Sequence, residues 1–476
     1  MKPGHVAVLA GCALGLGACD LAPSYRPPVI AIPAAYKEAG PWQQARPADG
    51  EPRGPWWRQF GDRTLDALEA QVDAANPDIA AADAAYAQAR ALAAQAEAGL
   101  VPWVSAEGGL SADRQSAHRP LRSSNPPTYY GTNSIGFQAS YEVDLWGSVR
   151  NAVASGKAQA QASAATLESV RLILHAELAH DYILLRGLDA EIKLLADTVV
   201  AYARALDLTR NRAAGDIASG LDVSRAETQL DTARAQEADA TARRAVLEHA
   251  AARLAGQSAS AFSLPPDASL IALPDVPPGV PSSLLLRRPD IAAAERRVAA
   301  ANALIGVAES AFYPTVTLGL GGGTQDTSLN MLSLPNSFWS VGPAISLPIF
   351  NGGLLRAQEA GVKAQFDAAA AGYKGTVLDA FQEAEDNLAR LHWLAQEAKD
   401  EDAAVAAAQK TLELSMNLYR DGAVSYLEVV TAQTAALDAR RAALDLRTQR
   451  LTATVGLIRA LGGGWSAVDL PGAREL

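Results

Sequence analysis

Residues 76–109 read NPDIAAADAAYAQARALAAQAEAGLVPWVSAEGG, and residues 288–321 read RPDIAAAERRVAAANALIGVAESAFYPTVTLGLG. Pro77-Asp78-Ile79 matches Pro289-Asp290-Ile291, and Pro102 matches Pro314, both at an offset of 212. Asn76 is a good N-cap, and Pro77 sits at the first helical position, where its missing N–H costs nothing. Ala, Leu, Gln and Glu then carry a helix. Gly99, Pro102 and Pro314 punctuate its end, and a strand-like run follows. The chain therefore makes a helix that runs into a strand, and makes it twice. Self-similarity of this kind governs every local reading.

Outward from this repeat, the 476 residues give ample length for two structural halves. The formal net charge of −11 argues against nucleic acid as the main partner, because phosphate neutralisation needs clustered Lys and Arg. No apolar run beyond the N-terminus approaches the roughly 18 residues of a membrane-spanning helix. If the protein crosses a membrane, it must do so as a barrel.

The N-terminus reads as a processing signal. Lys2 precedes an apolar run from Val6 to Ala18, too short to span and suited to a secretory segment. Leu16-Gly17-Ala18-Cys19 has the form of a lipobox; Leu9-Ala10-Gly11-Cys12 leaves too little apolar sequence before it. Residues 1–18 are thus expected to be a lipoprotein signal peptide and Cys19 the lipidated residue, the alternative being an ordinary signal peptide with a chance cysteine. Asp20 follows, a residue that in enterobacterial lipoproteins favours retention in the inner membrane. Residues 19–60, rich in Pro and Trp (Pro23, Pro27, Pro28, Pro33, Trp42, Trp56, Trp57), read as an extended segment that wraps a body.

Four strands are legible. Residues 101–110 form the first, and 111–133 read as a polar loop. In the second, Ile135, Phe137, Ala139, Tyr141, Val143 and Leu145 alternate with polar or small residues. Val316, Leu318 and Leu320 mark the third. Trp339, Val341, Ile345, Leu347 and Ile349 mark the fourth, with Pro343 expected to interrupt it. Strands of this length, apolar on one face and polar on the other, suit either a membrane barrel with a wet lumen or two half-buried hairpins of a soluble sheet. Four strands cannot close a barrel, since the smallest have about eight, and open edges are not tolerated in lipid. A membrane barrel would need several chains, and three would supply twelve strands.

Between the strand pairs lie very long helices. From Gly147 to Ala214 there is no proline, and at 1.5 Å per residue this run reaches roughly 100 Å. Leu188, Ile192, Leu195, Val199, Tyr202 and Leu206 step by 4 and 3, the spacing of helices that pack on helices. Asn211 to Asp216 breaks the run, with Gly215 expected to take positive φ. The chain returns through Leu221 to Leu254. Residues 354–420 and 427–455 repeat this layout around a turn at Asp421-Gly422. A plain antiparallel coiled-coil scaffold would explain the helices but not the strands. The resulting division is 61–256 and 287–462 for two repeats (each a helix, two strands and a long helical hairpin), a proline-rich linker at 257–286 and a tail at 463–476.

Catalytic patterns do not emerge. His175-Ala-Glu177-Leu-Ala-His180 resembles a zinc-protease motif, but histidines five apart do not share a helix face, and a solvated face is expected instead. Gly319-Leu-Gly321-Gly322-Gly323 lacks the Lys-Ser/Thr of a phosphate loop and reads as the outer end of a strand and its loop. The chain reads as a non-enzyme with no cofactor, no metal and no catalytic residues.

The order of Cys19-Asp-Leu-Ala-Pro-Ser-Tyr-Arg-Pro, Trp57 to Phe60, Asn76-Pro-Asp-Ile, Tyr141-Glu-Val-Asp-Leu-Trp-Gly147, Arg287-Arg-Pro-Asp-Ile291, Leu347-Pro-Ile-Phe-Asn-Gly352 and Tyr419-Arg-Asp-Gly-Ala-Val-Ser-Tyr-Leu-Glu428 resembles the TolC-like outer-membrane efflux channels, specifically the lipoprotein branch serving RND multidrug pumps. The resemblance implies a mainly α fold with a β-barrel portion: a homotrimer whose twelve-stranded outer-membrane barrel continues as a periplasmic coiled-coil tunnel. It implies a tip opened when a periplasmic adaptor and an inner-membrane RND pump dock. By the same resemblance, Gly215, Gly422 and Ser425 mark the tips an adaptor would grip. Asp222, Tyr419 and Glu428 match gate positions, although Asp222 and Glu428 are equally explained as first-turn carboxylates favoured by the helix dipole. Val424 stands where some members carry a basic latch residue. The function implied is passive exit of small toxic compounds. The alternatives are the duct of a type I protein-secretion system, or a lipid-anchored periplasmic adaptor or scaffold.

Overall fold

The computed structural model describes residues 20–39, 54–116, 118, 128–274, 276, 281–328, 330 and 333–475. Residues 1–18, Cys12, Cys19 and Trp42 lie outside the described residues. Both repeats have the same layout. In the first, α1 (Arg63–Ala75) and α2 (Pro77–Glu97) precede β1 (Trp103–Arg114), β2 (Tyr129–Val143), α3 (Ser148–Ala214) and α4 (Gly220–Leu254). In the second, a short α5 (Leu284–Arg287) and α6 (Pro289–Ser310) precede β3 (Thr315–Asp326), β4 (Ser337–Ser346), α7 (Leu354–Arg420) and α8 (Tyr426–Ala460).

The duplicated motif closes each repeat on itself. Asn76 caps α2 by accepting from the N–H groups of Asp78 and Ile79, and donates its Nδ2 to the Leu254 carbonyl, 2.8 Å away, at the end of α4. Arg288, at the matching position, makes no side-chain cap; its guanidinium instead reaches the Ala460 carbonyl at the end of α8, 3.2 Å away, and pairs with Asp290 and Glu383. Just beyond those carbonyls, Gly256 (φ +69°) and Gly462 (φ +90°) lie against the carbonyls of Ala75 and Arg287, where a Cβ would stand 2.3 and 2.2 Å away. Positive φ and this lack of space both demand glycine.

The strands form one antiparallel sheet in the order β1-β2-β3-β4. Neither outer edge, β1 nor β4, has a partner among the described residues, and β4 is exposed along its whole length. Trp103, Trp339, Val341 and Ile345 are each at least two-thirds exposed. The strands depart from the sequence reading in three ways. Residues 111–114 and 129–133, read as loop, pair as strand (Ser111 with Thr132, Ala112 with Gly131), because backbone pairing continues where side-chain alternation turns polar. Pro343 does not interrupt β4 but stands opposite Leu318 within it; a missing N–H is tolerated on an edge strand. Leu145, Leu347 and Ile349 fall beyond the strand ends, and Gly319 to Gly323 lie inside β3 rather than at its outer end.

Below the sheet, α3 and α7 each run 67 residues and α4 and α8 each run 35, matching the expected hairpins. The two hairpins lie side by side, α3 against α8. Gly187 lets them approach, since a Cβ there would meet Thr448 Oγ1 at 2.5 Å. The expected α3 seam is real: Leu188, Leu195, Tyr202 and Leu206 are buried, with Ile192 and Val199 packed beside them. The main core gathers Leu65, Leu178, Ile183, Leu185, Leu284, Ile291 and Leu457 around α1, α3 and α6. No helix among the described residues is long and apolar enough to cross a membrane.

Candidate functional site

The free ends of the two hairpins hold most of the residues singled out from sequence. At the first end, α3 stops after Ala214. Gly215 does not take the expected positive φ; its φ is −95°, and the left-handed residue is Asp216 (φ +58°), whose short polar side chain tolerates that region. At the second end Gly422 does take it (φ +78°). The sequence reading placed the left-handed site of the first turn at Gly215, and the structure places it one residue later.

The returning helices start differently. Ser219 caps α4 in a full capping box: it accepts from the Asp222 N–H at 3.2 Å, and Asp222 Oδ2 accepts from the Ser219 N–H at 3.2 Å and from its hydroxyl at 2.9 Å. Asp222 also lies 3.5 Å from Arg225. Ser425 stands at the N-cap of α8 with no side-chain cap bond, and Glu428 is exposed in the first turn.

Between the ends lies a small aromatic cluster. Tyr202, Leu206, Ala226, Leu230, Tyr419, Tyr426 and Val429 are buried together, and Val424 packs against them as a partly buried apolar residue. The Tyr419 and Tyr426 rings lie 5.3 Å apart. Burial, with Tyr419 and Asp222 nearby, pushes Tyr426 up to about 12, although its hydroxyl also hydrogen-bonds to Thr209. The sequence reading missed Arg212. Its guanidinium sits 4.5 Å from the Tyr419 ring centre, and its Nη1 donates to the Tyr419 carbonyl at 2.8 Å. Asp222, Tyr419 and Glu428 make no direct bond to one another; Asp222 is used by its own helix cap. Only the position of Arg212 in the last turn of α3, where a cation is favoured, could have drawn attention to it.

A second cluster overturns a sequence expectation. His175 is buried, not on a solvated face. Its Nδ1 lies 2.6 Å from Glu69 and its Nε2 3.1 Å from Asp73, both on α1, while Trp57 stacks on its ring at 4.5 Å. Docking of Trp57 and α1 covers that stretch of α3, which the periodicity of α3 alone does not reveal. Burial pushes Glu69 up to about 7, against the pull of His175. Burial lowers His175, but Glu69 and Asp73 outweigh it and raise the imidazole. His180 is half-exposed beside Asp181. No cluster suited to a metal ion occurs among the described residues.

The N-terminal strap joins the strand-to-helix junction. Asp20 accepts from Asn151 Nδ2 at 2.8 Å, near the start of α3, and Tyr25 hydrogen-bonds to the Glu295 carboxylate on α6. Glu385 on α7 accepts from the N–H groups of Lys37 and Glu38 at 2.8 and 3.0 Å.

Comparison with known proteins covers nearly the whole of this architecture. The family described as "Outer membrane efflux protein" matches residues 68–257 and 280–463. Two proteins of Pseudomonas putida, the antibiotic efflux pump outer membrane protein ArpC and the toluene efflux pump outer membrane protein TtgC, are each 32% identical, over 96% of this chain and 95% of theirs. The solved outer-membrane channel OprN superposes with a TM-score of 0.86 at 30% identity, over 94% of this chain and 100% of that one.

Proposed function

The chain belongs to the outer membrane efflux protein family and is an outer-membrane exit channel for efflux, and from that premise we propose how it is assembled and gated. Three copies build one duct. Each contributes four strands to a twelve-stranded barrel and four long helices to a tunnel below it. The observation that carries this reading is the sheet itself: four strands, two unpartnered edges among the described residues, and exposed apolar side chains along β4. Such edges are not stable in lipid unless other strands cover them. Residues 61–256 and 287–462 are the two repeats, joined by the linker 257–286, which α3 and α4 hold through Arg186 to the Pro265 carbonyl (2.9 Å) and Arg244 to the Leu264 carbonyl (2.6 Å).

Cys19 carries a lipid. Its neighbour Asp20 is tied beside the start of α3, where strand gives way to helix, so an acyl chain there would enter the membrane beside the barrel. The hairpin ends, with Gly215, Gly422 and Ser425, face a periplasmic adaptor, and Asp222, Tyr419 and Glu428 belong to a gate that opens when the adaptor and an RND pump dock. Conduction is passive, because the energy is spent by the pump. Small-molecule cargo is supported by relatives named for antibiotic and toluene efflux.

The test uses the single free thiol of a Ser425→Cys variant whose Cys19 is lipidated. A short thiol–amine crosslinker is added to cells. Capture of an adaptor encoded beside an RND pump is the expected result. Capture of a protein-secretion adaptor would keep the duct and change the cargo. A thiol that reacts only from outside the cell would contradict the orientation.

A further inference from the structure

The ends of the two hairpins in one protomer touch through contacts of unequal kind. Gln229 Nε2 donates to Thr434 Oγ1 at 3.0 Å, an exposed neutral bond. Tyr426 hydrogen-bonds to Thr209, whose hydroxyl already donates to the Ala205 carbonyl at 2.9 Å. Arg212 alone among these brings a charge across the gap. Its own backbone is fixed, because its carbonyl accepts from the N–H groups of Ile217 and Ala218 at 2.8 and 3.2 Å in the turn that ends α3. The carbonyl it grips belongs to Tyr419, in the last turn of α7; it also accepts from the Gly422 N–H at 3.0 Å and lies at the negative end of the helix dipole. The same guanidinium covers the ring of that residue, a second attraction of different origin.

The Tyr419 hydroxyl takes no part. It is buried and has no hydrogen-bond partner among the described residues. Because the protomer's own atoms already cover that oxygen, a neighbouring copy cannot reach it in this arrangement. Val424, at the position where some members of the family carry a basic residue, is packed against the apolar cluster and offers no charge.

We propose that Arg212 is the positioning residue that ties the two hairpins of each protomer together at the closed tip, gripping the ring and main-chain carbonyl of Tyr419 and not its hydroxyl. This rests on the reading of the hairpin ends as the gate. Opening the tip would separate α3 from α7 and break both contacts at once, so the clamp sets much of the closed state's advantage. The Tyr419 hydroxyl gains nothing in the closed state.

The experiment is single-channel recording of the purified full-length protein in planar lipid bilayers, with helical content checked by circular dichroism. Arg212→Ala is expected to raise the open-to-closed ratio by about tenfold, the scale of one charged hydrogen bond with a cation–π contact. Arg212→Lys should fall between, keeping the charge but losing the flat stacking face. Tyr419→Phe should leave the ratio unchanged, whereas Tyr419→Ala, which loses the ring but keeps the main-chain carbonyl, should raise it less than Arg212→Ala. The double variant Arg212→Ala/Tyr419→Ala should open no further than Arg212→Ala alone. A closed Arg212→Ala channel, or a Tyr419→Phe channel that opens as Arg212→Ala does, would overturn the assignment. Val429→Asp, which places a charge in the fully buried tip cluster, separates the two levels. If it opens while Arg212→Ala stays closed, only the role of Arg212 falls. If it also stays closed, the hairpin ends are not the gate.

Discussion

Helices α3 and α7 have the same length and the same place in their repeats, yet they are buried very differently. Along α3, Leu174, Leu178, Tyr182, Ile183, Leu185, Leu188, Leu195, Tyr202 and Leu206 are covered, together with a run of alanines. Along its 67 residues, α7 buries only Tyr373, Val377, Ala380, Ala384, Asn387, Leu388 and Tyr419, and it leaves Leu378, Trp393, Leu414 and Leu418 substantially exposed. The difference follows from position. Helix α3 is flanked by α4 and α8 and roofed by α1, while α7 is the outer member of its hairpin. A helix with apolar residues on an unpartnered flank, under a strand edge that is also unpartnered, describes one wedge of a larger cylinder. On our proposal the flank of α7 is completed by a neighbouring copy, whose α4 exposes Leu221 and Val246.

The largest expected effect breaks the comparison at its buried side. Leu185→Ala, fully buried in α3, should cost about 2–5 kcal/mol of stability in chemical denaturation. Trp393→Glu, on the exposed flank of α7, should leave the protomer's circular dichroism intact but lower the fraction of assembled protein in size-exclusion chromatography. If Trp393→Glu unfolds the chain as Leu185→Ala weakens it, the two helices do not differ as described.

A pH change sharpens the comparison, because only α3 is docked through a buried proton-sharing cluster. His175 faces Glu69 and Asp73, with Asp66 nearby on α1. His175 is raised in the fold, so its contribution is present at low pH and is lost as pH rises through its folded value. Glu69, pushed up to about 7, favours its protonated form in the fold and opposes folding increasingly as pH rises above the ordinary carboxylate range. Both signs agree: docking of α1 on α3 should weaken as pH rises, through Glu69 from the ordinary carboxylate range up to about 7, by on the order of 3 kcal/mol, and through His175 above its ordinary value. Hydrogen exchange of residues 63–75 should accelerate between about pH 5 and 8, and Glu69→Gln should flatten that response. Exchange that slows with pH after correction for its intrinsic rate would contradict the cluster's role.

The smallest effect separates the two hairpin ends. Ser219→Ala removes a real cap and should cost about 1 kcal/mol, while Ser425→Ala, with no cap bond to lose, should cost almost nothing. Equal costs in urea unfolding would show that the capping difference does not matter.

Most of the fold was legible in the sequence because its signals are local. The proline at the start of each repeat helix, the heptad steps of α3 and the turn at Asp421-Gly422 each depend on a few neighbouring residues. What was not legible depended on distant partners. His175 is buried because Trp57 and α1 fold back over it. Arg212 matters because Tyr419, 207 positions later, ends a helix beside it. The outer ends of β1 and β2 pair through backbone bonds that side-chain alternation does not report. The left-handed residue moved from Gly215 to Asp216 because a turn's geometry is set by the two helices it joins, not by the glycine alone.

The central claim is that one chain is a third of a duct. Native mass spectrometry of the full-length protein released from detergent measures it directly. The account predicts particles of three copies that remain together until the detergent micelle and then the subunits are stripped away. A particle of one copy at every protein concentration, still folded and with its strand edges open, would contradict it.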